Sequence, residues 1–505
     1  MLKLKTFLQR GLLFYLLRIK KGEEKKFFLM ALLMFNMLLC QNIIRNIKDS
    51  WVVTLIGAQS ISFIKLWLEV PAGALFVFVY TKICNKVNLF WVFRLVVLFF
   101  IIYFVIFLFI LMPNIQALQM QQETVDFLVA SCPHAKWFIL LASQWIIVSF
   151  YVMGETLPII LFPILFWQIA NNTSSVEQSQ RFYPSLSFFG QSNLIAVSFL
   201  IQYFKSDNIV ITLLTKYFFF ENSSSGLIIK IKCLLAIVLL LFFICLFLHK
   251  LLDNNIRNSD SANYYIPLKL NIKDTLKLAF SSSYTLRIVA VVLCYSLTIN
   301  LIEILALEKI NIYYSSDTQD VMQYHAKVTG YIGGATLIFS LLGSHIIAII
   351  GWLFAASLTP IVIFVTGLMF FAGVIFEDSW AYKFKPFYQN KSFLALVLVL
   401  YAVYAVLSKS IKYSLFDATK EMAYVPLSVE LKTKGKAALE TFSIKIAKIL
   451  GSSVQSVVFV MLPTATCSDN KFLLLIIFVL CCSFWLSNVR KINAQYQLFR
   501  KSSVF

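Results

Sequence analysis

The residues that could do chemistry in this chain are charges set among apolar runs. The densest group is Lys409–Lys448, where eight lysines stand beside Asp417, Glu421, Glu430 and Glu440, between apolar runs at 392–407 and 449–462. A charge in hydrocarbon is costly unless it meets a partner or a wet cavity, so cations gathered here suit a path for something anionic. Lys412, Phe416 and Lys420 recur every four residues, which lays two cations and an aromatic ring along one helical stripe. A phosphate chain with a stacking base needs that combination. Asp417 could instead pair with Lys420 three residues on, and a snorkelling helix end is the blander reading. Lys448, three residues after Lys445, leads into an apolar run and is the better pore candidate. Lys432, Lys434 and Lys436 read as an ordinary basic loop.

Other charges interrupt apolar runs singly. In C-Q-N-I-I-R-N-I-K-D-S-W, Arg45, Lys48 and Asp49 share a helical face. Arg45 is expected to pair with Asp49, leaving Lys48 for an anion; a helix end at the interface beside Trp51 is the alternative. Lys65 and Glu69, spaced i,i+4 before Pro71, read as a structural ion pair. Glu155, in Y-V-M-G-E-T-L-P, lies too deep to snorkel and must face a cavity or a cation. Glu303, on one face with Asn300, could pair with Lys48, or serve only to fix packing. Glu308 and Lys309 are weaker candidates, and Arg181 reads as an inner-face anchor. No GxxxxGK[ST], no GxGxxG after a strand and no HExxH occurs, and four scattered histidines and nine cysteines without a CxxC offer no metal spacing. No cofactor is expected.

The elements that must position these charges follow from composition. The chain has 505 residues, 60% of them hydrophobic and 13% charged, with mean hydropathy +0.81. Soluble globular classes do not reach those values, and recurring long apolar runs predict an all-α, multi-pass membrane protein. Expected spans are 27–57, 60–85, 89–112, 136–171, 181–204, 226–249, 281–313, 326–350, 352–376, 392–423, 437–462 and 471–490, about twelve in all. Gly154, Pro158 and Pro163 read as kinks within the fourth. The net charge of +20 is mostly inner-face anchoring; nucleic acid is not an expected partner. Basic segments at 1–26, 250–280 and 491–505 fall on one side, the cytoplasm, if six helices lie in each half, 27–249 and 281–490. That is a major-facilitator-like arrangement, with the substrate site at mid-membrane between repeats. The basic loop 377–391 lands outside and fits poorly.

Several stretches resemble one family closely. They are R-N-I-K-D-S at 45–50, I-S-F-I-K-L-W at 61–67, L-F-W-Q-I-A-N at 165–171, R-F-Y at 181–183, N-L-I-E at 300–303 and K-Y-S-L-F-D-A-T-K-E-M-A-Y-V-P-L at 412–427, followed by K-T-K-G-K-A-A. Together they resemble the ATP/ADP translocases, the nucleotide transporters of obligate intracellular bacteria and plastids. The resemblance runs essentially end to end. It implies exchange of ATP or another nucleotide for ADP across a bacterial inner membrane. It also implies that the family's important lysine in the first helix, glutamates in the fourth and seventh, and late lysine fall on Lys48, Glu155, Glu303 and Lys448. The chain departs from the family's E-L-W with Glu155-Thr156-Leu157, and from E-x-x-W-K-x-K with E-I-L-A-L-E-K at 303–309.

The resulting expectation is an antiporter working by alternating access. Lys48, Lys412, Lys420 and Lys448 supply phosphate-binding charge, Glu155 and Glu303 balance the empty site, and Arg45, Asp49, Asn300, Phe416 and Asp417 support it. Nucleotide and membrane lipid are the expected partners. The alternative is a proton-coupled carrier of nucleosides or cofactors with Glu155 or Glu303 as the protonation site. A membrane enzyme is disfavoured by the lack of any base–nucleophile constellation.

Overall fold

A computed structural model describes residues 19–20, 22–84, 86–160, 165–174, 176–204, 226–257, 282–383, 392–424 and 436–502. The expected basic segment at 1–18, most of the linker 250–280, the end of the loop 377–391, and Lys432 and Lys434 lie outside the described residues. Among the described residues every regular element is helical. Long runs of Leu, Ile, Val and Phe bonded i to i−4 satisfy their own backbone, as an apolar medium demands.

Among the described residues ten helices are long and apolar enough to cross a membrane, and a bent pair makes eleven. They are α1 (Glu24–Leu55), α2 (Ser60–Cys84), α3 (Phe90–Leu111), the bent α4 (Pro133–Ser143 with Trp145–Pro158), α5 (Arg181–Tyr203), α6 (Gly226–Asn255) and α7 (Ser283–Tyr313). A continuous helix Thr318–Lys383 breaks at Gly351, whose φ of 77° is left-handed, into α8 (318–350) and α9 (352–383). Then come α10 (Phe393–Tyr424), α11 (Lys436–Met461) and α12 (Ser468–Gln495). With α8, which is helical but not among those eleven, the twelve segments each overlap an expected span. Large apolar side chains such as Phe109 and Ile349 point outward from the helices, which suits a lipid surround.

The fourth span bends where the sequence did not suggest. Its two limbs meet at 79° around Gln144. Gly154 and Pro158 lie inside a regular helix, Trp145–Ile160, and Pro163 lies outside the described residues. Gln144 leaves the helical region, with φ −105° and ψ 32°, and its side chain accepts a 2.6 Å hydrogen bond from Gln119. Its backbone keeps both helical bonds, N–H to Leu140 O and C=O from Val148 N, so the bend lies in its torsions rather than in a lost hydrogen bond.

The chain divides into two compact units, and neither is a contiguous half. One comprises Met1–Ile47, Gly73–Gln116 and Met153–Lys269; the other comprises Lys48–Ala72, Ala117–Val152 and Leu270–Phe505. Helices α1, α2 and α4 therefore each contribute to both.

In the first unit, Asn42 of α1 donates to Asn193 of α5 at 2.8 Å, and Phe27 packs edge-on against Phe182. The start of α1 is clamped by Arg181, which donates through two nitrogens to the Glu23 carboxylate at 2.7 and 2.8 Å. Arg181 is thus more than an anchor to lipid. Hydrogen bonding from Arg181, aided by Gln178, pulls the Glu23 carboxyl down to about 2 from its ordinary 4.5. A carboxylate with a lowered pKa stabilises the fold above its unfolded pKa and loses that contribution as the pH falls through its folded value. The thermal stability advantage of the wild type over Glu23→Gln is therefore expected to be full at neutral pH. It should shrink between about pH 4.5 and about pH 2, as measured by melting of the detergent-solubilised protein. An advantage independent of pH would mean that the pair is held by packing rather than charge.

Candidate functional site

The second unit collects most of the buried charge. Its centre is a π-helical turn in α2, Ile64–Glu69, which places Lys65 and Glu69 inward, only 4% and 3% exposed. Between them Trp67 and Leu68 are exposed on the opposite face. Lys65 Nζ donates to Asn300 Oδ1 at 2.9 Å and to Glu303 Oε2 at 3.1 Å, both on α7. Glu69 Oε1 accepts from Lys448 Nζ of α11 at 2.6 Å. The local pair expected from i,i+4 spacing is thus crossed: each member of the turn is neutralised by a different neighbouring helix. Breaking a pair at such depth is costly, so these contacts tie both helices to α2 in this state.

Glu303 is therefore joined to Lys65, whereas the sequence had offered Lys48 as one partner and a packing role as the alternative. Lys48 is 1% exposed. Its Nζ lies 2.5 Å from Asp49 Oδ1 and 4.0 Å from the centre of the Tyr151 ring. Asp49 thus engages Lys48, the lysine that the sequence reading left for an anion. Adjacent residues can meet when the longer side chain folds back under a ring, which sequence spacing does not reveal. Beside Glu303 a narrow pocket is lined by Ile299, Tyr401, Tyr404, Ser408 and Lys409.

The end of this unit at Gln59 is closed by further polar contacts. Gln59 donates to Glu308 Oε1 at 2.9 Å, and the same carboxylate accepts the backbone N–H groups of Cys467 and Ser468 at 2.8 and 2.9 Å. An anion at the first N–H groups of α12 is favoured by the helix dipole. Thr54 and Thr318 hydroxyls meet at 2.6 Å, and Ser62 donates to Gln455 at 2.8 Å. Glu308 is thus a helix cap. Lys309 is bound at 2.5 Å to Glu377 of α9.

The lysine stripe of α10 takes a different form from the expected one. Asp417 lies 3.3 Å from Lys412 and 3.5 Å from Lys420, so the acid sits between both cations. Phe416 is buried, stacked on Tyr295 at 5.2 Å and edge-on to Trp485 at 5.6 Å. Its ring is thereby engaged by protein rather than displayed beside the lysines. The cause is a second π-helical turn, Lys412–Phe416. With i→i+5 bonding, position 417 comes over 412 and Phe416 turns off the lysine face. Trp352 donates to Thr419 O and Tyr284 to Ala423 O, fixing this part of α10 to its neighbours.

Glu155 and Arg45 are half-buried and belong to the first unit, on α4 and α1. The second unit thus brings Glu303 together with Asn300, and Lys412 and Lys420 together with Asp417. Sequence reasoning undervalued Lys65 and Glu69. The available signal was Trp67-Leu68 between them, an apolar pair that marks the opposite face as lipid-directed and theirs as inward.

These groups pair opposite charges between helices, an arrangement suited to binding charged species. The comparisons with known proteins point to a transporter. The model of the TLC ATP/ADP transporter family matches residues 7–496. ADP,ATP carrier protein 3 of Rickettsia conorii is 36% identical over 487 residues, 95% of this chain and 96% of its own. ADP,ATP carrier protein 4 of Rickettsia bellii is 36% identical over 96% of this chain and 92% of its own. Among solved structures, a bacterial homologue of the iron transporter ferroportin aligns with TM-score 0.52 at 12% identity, covering 95% of this chain and 99% of that one. The xylose transporter XylE from E. coli aligns with TM-score 0.52 at 11% identity, covering 92% and 97%. At such identities the likeness is one of fold alone, a major-facilitator-like helical architecture. The match of sequence is of another order, extending over nearly the whole chain, and by it the chain belongs to the TLC ATP/ADP transporter family.

Proposed function

We propose that this protein is a multi-pass carrier of the bacterial inner membrane that exchanges ATP, or a related nucleotide, for ADP. The bundles 27–249 and 281–490 alternate access across the linker 250–280, with 1–26, the linker and 491–505 in the cytoplasm. Lys48, Lys412, Lys420 and Lys448 bind phosphate, and Glu155 and Glu303 compensate charge when the site is empty. Arg45, Asp49, Asn300 and Asp417 hold these groups in place.

The observation that carries the reading is the pairing of deep cations with carboxylates from other segments, Lys65 with Glu303 and Lys448 with Glu69. Buried pairs of this kind contribute little net stability, yet they keep a cavity neutral until a stronger anion arrives. A nucleotide carries several negative charges and competes for such lysines; a neutral sugar or nucleoside does not. An empty site that closes on its own ion pairs resists reorienting, which favours exchange over net flux.

The test is expression in a heterologous bacterium, with uptake of a panel of labelled nucleotides measured with and without preloaded counter-substrate. Uptake that rises with preloading is expected. Glu155→Gln and Glu303→Gln should slow exchange while nucleotide binding is kept or tightened, because a more positive cavity retains the anion. Counterflow that survives in these variants while pH dependence of uptake disappears would replace exchange with proton coupling.

A further inference from the structure

Resting on the transport reading above, we propose that the π-helical turn Ile64–Glu69 is a charge-exchange latch. With the latch shut, Lys65 is held by Glu303 and Asn300 and Glu69 by Lys448. When α7 and α11 part from α2, Lys65 and Glu69 pair with each other, which releases Lys448 to the nucleotide phosphates and Glu303 from its lysine.

Three observations carry this. The two residues are buried, and each is bound to a helix far away in sequence, so the contacts tie α2 to α7 and to α11 separately. The same two residues are four apart on one turn, the spacing at which opposite charges meet within a helix. The turn is π-helical, a local form that recurs where helices must adjust. A latch whose members lacked a second partner would strand two charges on opening, and the cost of a lone buried charge would hold it shut. The built-in alternative pair lowers that cost. It also couples opening to the freeing of Glu303 and Lys448, the groups assigned to charge balance and phosphate.

The protein carries its own reporter. Cys467 is 2% exposed and sits in the closed network, its N–H donating to the Glu308 oxygen that Gln59 also contacts. Burial, with Glu308 beside it, pushes this thiol's pKa up, so it reacts only when uncovered. Cys132 is the exposed cysteine among the nine, and Cys132→Ser removes its background. The measurement is the rate of maleimide labelling of Cys467 in Cys132→Ser membranes opened to reagent on both faces.

The variant Lys65→Glu with Glu69→Lys keeps the opposite-charge pair on the turn. It makes both latch contacts repulsive, toward Glu303 and toward Lys448. Labelling should rise about tenfold or more. Adding Glu303→Lys and Lys448→Glu restores attraction in the shut state, and protection of Cys467 should return whether or not nucleotide is moved. Labelling unchanged by the reversal, or raised and not returned by the fourfold variant, would overturn the latch. Should the reversed protein fail to reach the membrane, Lys65→Gln with Glu69→Gln takes its place. It removes two shut-state pairs and one open-state pair, so labelling must still rise, and no rise would overturn the proposal. Nucleotide exchange in the Cys132→Ser protein is measured in parallel. Its absence would count against the transport reading and leave the labelling result intact.

Discussion

Lys48→Ala is expected to reduce nucleotide exchange at least about thirtyfold while the protein still reaches the membrane, on a loss of roughly 2–5 kcal/mol for a desolvated charge contact. The lysine is almost wholly buried, clasped between Asp49 at 2.5 Å and the face of Tyr151. Alanine removes the cation, so the site changes by one full charge in the direction that repels phosphate. Lys48→Arg should rescue only in part. A planar guanidinium keeps the charge, but it spreads the charge over a fork and requires room beside the tyrosine ring that a compact ammonium does not. Counterflow uptake, normalised to the amount of protein in the membrane, is the measurement. Wild-type exchange in the alanine variant would reduce Lys48 to a packing residue held by Asp49.

The largest effect on stability is expected at Lys309 and Glu377, which join α7 to α9 through a 2.5 Å contact with side chains 4% and 8% exposed. Removing one partner of a buried pair leaves the other charged and desolvated. Lys309→Ala should therefore destabilise by about 3–5 kcal/mol. Replacing both by apolar residues of similar size, Lys309→Met with Glu377→Leu, should recover most of that loss, since neither charge then remains to be solvated. The check is the thermal unfolding rate of the solubilised protein at fixed temperature, because membrane proteins seldom refold after melting. A double variant as unstable as the single one would show that the pair contributes direction and hydrogen bonding beyond charge cancellation.

Much of this protein was legible in the linear sequence for a definite reason. Whether a helix crosses a membrane depends on the summed hydropathy of about twenty consecutive residues, a local property. The helical segments, the positions of the charges that interrupt them and the family resemblance all rest on contiguous residues, and all were readable. The π-helical turns at Ile64–Glu69 and Lys412–Phe416 and the break at Gly351 depend on backbone geometry that composition does not specify. So does the bend at Gln144, where φ −105° and ψ 32° leave the helical region.

Ionic pairing is where tertiary structure alone decided. From the sequence, Lys65 had one natural partner, Glu69, and Asp417 had one, Lys420. In the folded chain Lys65 turns to α7, Glu69 to α11, and Asp417 sits between two lysines because i→i+5 bonding brings it over Lys412 as well. Spacing along a helix lists the charges within reach, but energy selects among them by depth and by the arrival of other helices. In a medium that solvates no ion, the partner that excludes lipid best prevails, and that choice exists only once the helices are packed.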